Sequence, residues 1–130
     1  AAAILSRLAR AVVMLESDQG LITHARKAWD DLGYTNITSA QGDLAEGVRA
    51  HAPYDLIVVD GGVSYVPDSL LSQLSIGGRL VAVVNGRADC TMGQARIIYR
   101  TSEDGYSERT LFDAAVPCLP EFSPRREFAF

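Results

Sequence analysis

Apolar positions along the chain fall into two alternating periods, short continuous runs and longer helical stripes. Ala1 to Arg10 set Ile4, Leu5 and Leu8 on one helical face with Arg7 and Arg10 elsewhere. Ala11-Val12-Val13-Met14-Leu15 is then an apolar run too short for a helix, closed by Glu16-Ser17-Asp18, and it reads as a buried parallel strand. From Asp18 to Gly33 the spacing of Leu21, Ile22, Ala25, Ala28, Trp29 and Leu32 predicts a helix, with Trp29 as core anchor and Gly33 as stop. Residues 36–40 predict a short strand followed by Gln41-Gly42-Asp43, and Leu44 to Ala52 a helix or helical turn broken by Pro53. Tyr54 to Val63 is the clearest strand pattern, an apolar run flanked by acids, and it is expected to be central. Pro67 to Leu74 predicts a short helix, Ile76-Gly77-Gly78-Arg79 a turn, and Leu80 to Val84 another buried strand. Beyond Asn85-Gly86 the alternation of 94–100 and 106–113 around Glu103-Asp104-Gly105 predicts an antiparallel hairpin. Residues 114–120 extend its last strand toward a Pro-containing edge, and Phe128 and Phe130 are expected to pack back.

Strands alternating with helices, then a hairpin, make this an α/β chain. With 48% hydrophobic and 22% charged residues in 130, it has material for a real core and reads as one domain, divided into a first helix end (1–10), βα units (11–86) and a hairpin with tail (87–130). A net charge of −4, with twelve scattered basic residues and a pI near 5.0, argues against an extended nucleic-acid footprint. No apolar run approaches the roughly 18 residues that span a bilayer, and the Ala-rich start lacks a complete signal-peptide layout. Cys90 and Cys118 have no metal-ligand spacing with His24 or His51, so reduced structural thiols, a cytoplasmic setting and no metal site are expected. His24, on the predicted helix without an evident partner, reads as a solvated or half-buried helical histidine.

Chemistry concentrates where predicted strands end. An acid at the carboxyl end of a strand in a nucleotide-binding α/β fold can accept both hydroxyl protons of a ribose diol, which makes Glu16 a ribose-binding candidate. The competing reading has Glu16 and Asp18 cap and charge the following helix. Gly42-Asp43 forms a second polar cluster at the same predicted sheet edge. Asp60 emerges where α/β sheets place ligands, with Gly61 and Gly62 allowing a ligand or another backbone to come close; the alternative is a cap and a tight turn.

The order of acid-ended strand, Gly42-Asp43, Tyr54-Asp55-Leu56-Ile57-Val58-Val59, Pro67 to Leu74, Gly77-Gly78-Arg79-Leu80-Val81, terminal hairpin and aromatic Glu127-Phe128-Ala129-Phe130 tail resembles the carboxyl-terminal two-thirds of protein-L-isoaspartate O-methyltransferases, especially divergent proteobacterial-type members. The resemblance implies a Rossmann-like methyltransferase sheet ending in an antiparallel hairpin, S-adenosylmethionine as cofactor with S-adenosylhomocysteine as product, and an isoaspartyl protein or peptide as substrate. By the same resemblance Glu16 matches the ribose-binding acid and Ser17 lies beside the adenine pocket. Gly42 and Asp43 match the segment that contacts the adenine ring and its exocyclic amine, and Asp60, Gly61 and Gly62 fall where cofactor and substrate meet. Better-known members carry small uncharged residues at that last place, such as Thr and Ala. Asp60 departs from them, and an anion there repels a substrate carboxylate unless it is screened.

No glycine-rich turn precedes Glu16 by the usual distance of about 20 residues. The chain is therefore expected to begin inside a βα unit, without the family's first strand and glycine loop. That strand sits centrally in the family's sheet, so its absence leaves backbone groups unpaired. A longer polypeptide, a partner or second copy pairing across the incomplete sheet, or a different sheet closure resolves this, and the first is the expectation carried forward. The activity expected of the parent is methyl transfer to isoaspartyl carboxylates. The alternatives are a non-catalytic binding or scaffold domain, and a nicotinamide-dependent oxidoreductase, which shares the ribose acid but is disfavoured by the terminal hairpin. Asp60 is the one well-placed general-base candidate, and a carboxylate nucleophile needs none.

Overall fold

A computed structural model describes residues 2–84, 92–116 and 119. The chain divides into two compact units, residues 1–51 and 52–130.

In the first unit helix α1 (Ala2–Leu8) leads to strand β1 (Val12–Glu16), helix α2 (Gln19–Leu32) and strand β2 (Ile37–Gln41). β1 and β2 pair in parallel from Val12 opposite Ile37 to Glu16 opposite Gln41. α2 begins where the Asp18 carboxylate accepts the Gly20 amide at 2.8 Å, and it ends where Gly33 takes the left-handed conformation at φ 78°. The Tyr34 amide then closes the end by donating to Trp29 O at 3.0 Å. Ile22 and Trp29 carry the buried face. Leu21 and Leu32, expected on that face, are exposed, as is Leu8 of α1, so the apolar stripe is narrower than the sequence pattern suggested. His24 is exposed, as expected of a solvated helical histidine. The end of α1 is tied to the loop after α2: Arg7 Nε donates to the Tyr34 hydroxyl at 3.2 Å, and Asn36 Nδ2 donates to Ala9 O and Arg10 O.

Leu44 to Ala52 does not form the expected helix. Two 3₁₀ turns, Leu44–Glu46 and Arg49–His51, stand in its place, separated by Gly47 at φ 66°. The Asp43 side chain holds the first turn by accepting the Ala45 amide, and the glycine's positive φ stops helical propagation.

The second unit is a four-stranded sheet, β3 (Tyr54–Val63), β4 (Leu74–Val84), β5 (Gly93–Arg100) and β6 (Tyr106–Ala114), in that spatial order. β3 and β4 are parallel, joined through the single-turn helix α3 (Asp68–Leu71), and the remaining pairs are antiparallel. The expected hairpin is β5–β6, closed by Thr101 N donating to Gly105 O at 2.8 Å. Leu74 and Leu80 are fully buried, joined in the core by Val63, Leu70, Ala82, Ala95 and Ile98.

Two sequence expectations change here. Ile76 to Arg79 is not a turn between elements but an excursion inside β4: between the Tyr54–Leu74 and Leu56–Arg79 pairs, Ser75 to Gly78 stand opposite Asp55 alone. The Ser75 hydroxyl pins this bulge, donating to Tyr54 O and Asp55 Oδ1. β3, expected to be central, lies at one edge of the sheet, with Leu56 44% and Val58 41% exposed. Its pattern is that of a strand covered on both faces, and among the described residues that cover is incomplete. Among the described residues β1 likewise has β2 as its one ladder partner. Among the described residues no helix is long and apolar enough to cross a membrane. Asn85-Gly86, Cys90, Cys118, Pro120 and the Phe128 and Phe130 tail lie outside them.

Arg100 locks the hairpin to the rest of the sheet. Its guanidinium donates to Leu74 O at 2.7 Å, Ser72 O at 3.2 Å, Ser102 O at 3.3 Å and Glu103 O at 2.6 Å. Arg100→Met keeps the aliphatic stem and removes all four charge-assisted donations, so a loss of about 1.5–3 kcal/mol is expected, read as a lowered urea midpoint at constant m-value.

Candidate functional site

Polar residues of the first unit gather at the carboxyl ends of β1 and β2. Parallel pairing sets Glu16 opposite Gln41, so whatever leaves the two strands emerges on one edge. Glu16 is partly exposed, and its carboxylate folds back over the chain: Oε1 accepts the amides of Ser17 at 3.1 Å and Asp18 at 3.3 Å. Among the described residues no donor reaches Oε2. The Gly42 amide donates to Glu16 O at 3.1 Å, and Gln41 Nε2 reaches Ser17 O at 3.4 Å, which fastens the residues after one strand to those after the other. Asp43 is exposed and spends Oδ1 on the Ala45 amide. The structure thus brings Glu16, Ser17, Gly42 and Asp43 together on one strand edge.

The acidic pair divides its labour. Asp18 is the helix cap, whereas the Glu16 carboxylate, among the described residues, accepts only from the turn that precedes the helix. Its remaining oxygen and its place at the strand end suit a diol acceptor. Gly42 adds a second sign. Among the described residues a Cβ there meets only Leu15 Cδ1 at 3.6 Å, ordinary contact, so their packing does not demand a glycine, and they leave the position open to a flat group. Ribose and adenine chemistry therefore fits these residues.

Asp60 and Gly61 belong to the second unit and sit on a bulge. Between the Val58–Val81 and Gly62–Val83 pairs, β3 has Val59, Asp60 and Gly61 where β4 has Ala82 alone. The bulge turns Asp60 to solvent. Gly61 has φ 152°, and the space above it is filled by the chain itself: a Cβ would lie 2.6 Å from Leu119 Cγ, and the Leu119 amide donates to Gly62 O at 2.7 Å. Of the two roles open to these glycines, close approach of another stretch of backbone is the one seen. Sequence reading missed Leu119 because nothing local pairs it with Gly61. Gly61→Ala is expected to cost about 1–3 kcal/mol in urea unfolding, and Leu119→Ala in the same background to return part of that loss.

Burial pushes the Tyr54 phenol above its ordinary pKa. Among the described residues no three His, Cys, Asp or Glu side chains cluster as a metal site would require.

The protein-L-isoaspartate(D-aspartate) O-methyltransferase family model matches residues 1–114. Protein-L-isoaspartate O-methyltransferase 2 of Pelobacter propionicus is 41% identical over 111 residues, covering 85% of this chain and 48% of that protein. The protein-L-isoaspartate O-methyltransferase of Methanothermobacter thermautotrophicus is 42% identical over 100 residues, covering 76% of this chain and 45% of that protein. The chain thus spans about half the length of the curated relatives it matches. A solved protein-L-isoaspartate O-methyltransferase superposes with a TM-score of 0.75 at 25% identity, covering 84% of this chain and 34% of its own. A second, from Plasmodium falciparum in complex with S-adenosyl-L-homocysteine, gives 0.71 at 17% identity, covering 85% of this chain and 53% of its own, a likeness of fold.

Proposed function

The chain belongs to the protein-L-isoaspartate(D-aspartate) O-methyltransferase family, and from that premise we propose that the polypeptide containing it transfers a methyl group from S-adenosylmethionine to the free carboxylate of isoaspartyl residues, the first step of their repair. This chain supplies the adenosine-binding part of the site. The observation that carries the reading is Glu16, held at the carboxyl end of β1 with Oε2 unengaged by the described residues, beside the open position of Gly42.

Glu16 accepts the ribose hydroxyls, Ser17 borders the adenine, Gly42 admits the ring, and Asp43 accepts from its exocyclic amine with the oxygen not committed to Ala45. When bound, S-adenosylmethionine supplies a methyl group activated by its sulfonium. The acceptor carboxylate is already anionic near neutral pH, so what remains for the protein is alignment and exclusion of water. Asp60 is accordingly no general base. An exposed carboxylate on the β3 bulge disfavours a second anion beside it. The edges of β1 and β3 left unpaired among the described residues, and the apolar Leu56 and Val58 surface, support placement in a longer polypeptide whose further segments cover them.

The test is methyl transfer by the polypeptide containing this chain, from labelled S-adenosylmethionine to a peptide bearing isoaspartate and to its aspartate twin. A base-labile methyl ester on the first and not the second is expected. Transfer to neither, with S-adenosylhomocysteine still bound, points to the scaffold reading instead.

A further inference from the structure

Three Asx–Gly dipeptides occur in the sequence, Asp60-Gly61, Asn85-Gly86 and Asp104-Gly105. Such pairs are chemically labile because glycine sets no side chain against closure of a five-membered imide. Asn85-Gly86 lies outside the described residues, and the other two are held in opposite ways. Asp60-Gly61 is flanked by the ladder pairs Val58–Val81 and Gly62–Val83 and is backed by Leu119. Asp104-Gly105 sits at the tip of the β5–β6 hairpin, where Thr101 to Asp104 are all exposed and the Gly105 amide makes one long bond, 3.3 Å to Ser102 O. Bringing that amide nitrogen over the neighbouring side-chain carbon costs one weak bond at the tip, but a disrupted ladder in β3.

We propose that Asp104-Gly105 is a site of spontaneous modification, where backbone rearrangement converts Asp104 into an isoaspartyl residue. The Gly105 nitrogen attacks Asp104 Cγ in its carboxylic-acid form. A C–N bond forms, and the carboxyl hydroxyl leaves as water with the amide proton. Water then adds at the former main-chain carbonyl carbon, and its bond to the Gly105 nitrogen breaks. The main chain now runs through Cγ, one methylene longer, and the former main-chain carbonyl becomes a free carboxylate. Net composition is unchanged and no co-reactant beyond water is needed. The longer backbone disturbs the turn that Arg100 clamps through Ser102 O and Glu103 O, so the lesion loosens the hairpin cap. It also presents the group that the proposed function acts on, which makes the tip an acceptor for the family's own reaction; that last step alone rests on the reading above.

The chain is aged at neutral pH and physiological temperature in ¹⁸O-water, then digested with trypsin. The peptide from Thr101 to Arg109 is expected to split into two chromatographic forms of equal composition, the new one carrying one ¹⁸O and resisting an aspartate-directed endoproteinase at Asp104. Accumulation should exceed that of the Asp60-Gly61 peptide by at least about tenfold, the ratio set by the cost of opening a ladder. Asp104→Glu, which would require a slower six-membered closure, should abolish it. Equal or slower accumulation than at Asp60, or the same new form in Asp104→Glu, overturns the proposal. Aged chain is then given S-adenosylmethionine and the active isoaspartyl methyltransferase of a relative. Methyl label on the 101–109 peptide, absent from Asp104→Glu, is expected, and label confined to other peptides overturns the acceptor role. The isotope readout fails independently of the proposed function, which is judged on the synthetic isoaspartyl peptide.

Discussion

Leu80→Ala is expected to destabilise the second unit by about 2–5 kcal/mol, a large part of the 5–15 kcal/mol that holds a typical domain folded. Leu80 is fully buried, and its ladder neighbours are Ile57 on one side and Ile98 on the other. Truncation removes transfer free energy and leaves a cavity between two strands that the rest of the sheet holds in place, so little collapse can offset it. Leu111→Ala provides the contrast. Leu111 lies on the edge strand β6 and is 43% exposed, and its loss should cost under about 1 kcal/mol. Urea unfolding followed by near-ultraviolet circular dichroism reads both. Equal midpoints for the two variants would show that the core does not centre on Leu80.

The second large effect concerns ligand binding. Glu16→Ala should weaken S-adenosylhomocysteine affinity about 10- to 100-fold, because charge-assisted hydrogen bonds of about 1.5–3 kcal/mol are lost while the fold stays intact. The bonds that Oε1 makes to Ser17 and Asp18 are local and exposed, so their loss leaves stability nearly unchanged. Asp18→Ala inverts the pattern: it removes the α2 cap and costs about 0.5–2 kcal/mol of stability with a smaller effect on affinity. Calorimetric titration and thermal unfolding of both variants separate the two readings of the acidic pair. If Glu16→Ala lowers stability as Asp18→Ala does and leaves affinity alone, both acids are caps.

Much of the fold was legible because its local signals agree with one another. The strand ending at Glu16, the helix from Asp18 to Gly33 and the hairpin around Gly105 each combine a hydrophobic period with the cap or turn residue that period requires. Misreadings arose where local chemistry was ambiguous or a distant partner decided. Leu44 to Ala52 carries a helical composition, yet Asp43 and Gly47 favour two tight turns. Gly77-Gly78 signals a turn, but Ser75 fastens that turn to β3, so it survives as a bulge within a longer strand. The continuous apolar run of β3 implied a central strand, since sequence records cover on both faces and not which chain segment provides it. At the candidate site, position alone singled out Glu16 and Gly42. The division between a capping Asp18 and a partly unengaged Glu16 needed hydrogen-bond geometry, and the filling of Gly61 by Leu119 needed the tertiary fold.

The most direct test of the central claim is titration of the ¹⁵N-labelled chain with S-adenosylhomocysteine, following the backbone amides by nuclear magnetic resonance. Saturable shifts concentrated at Glu16, Ser17, Asp18, Gly42 and Asp43, with the β5–β6 hairpin unmoved, are the predicted result. A folded chain whose amides do not move, or whose shifts fall in the hairpin and spare the ends of β1 and β2, would contradict it.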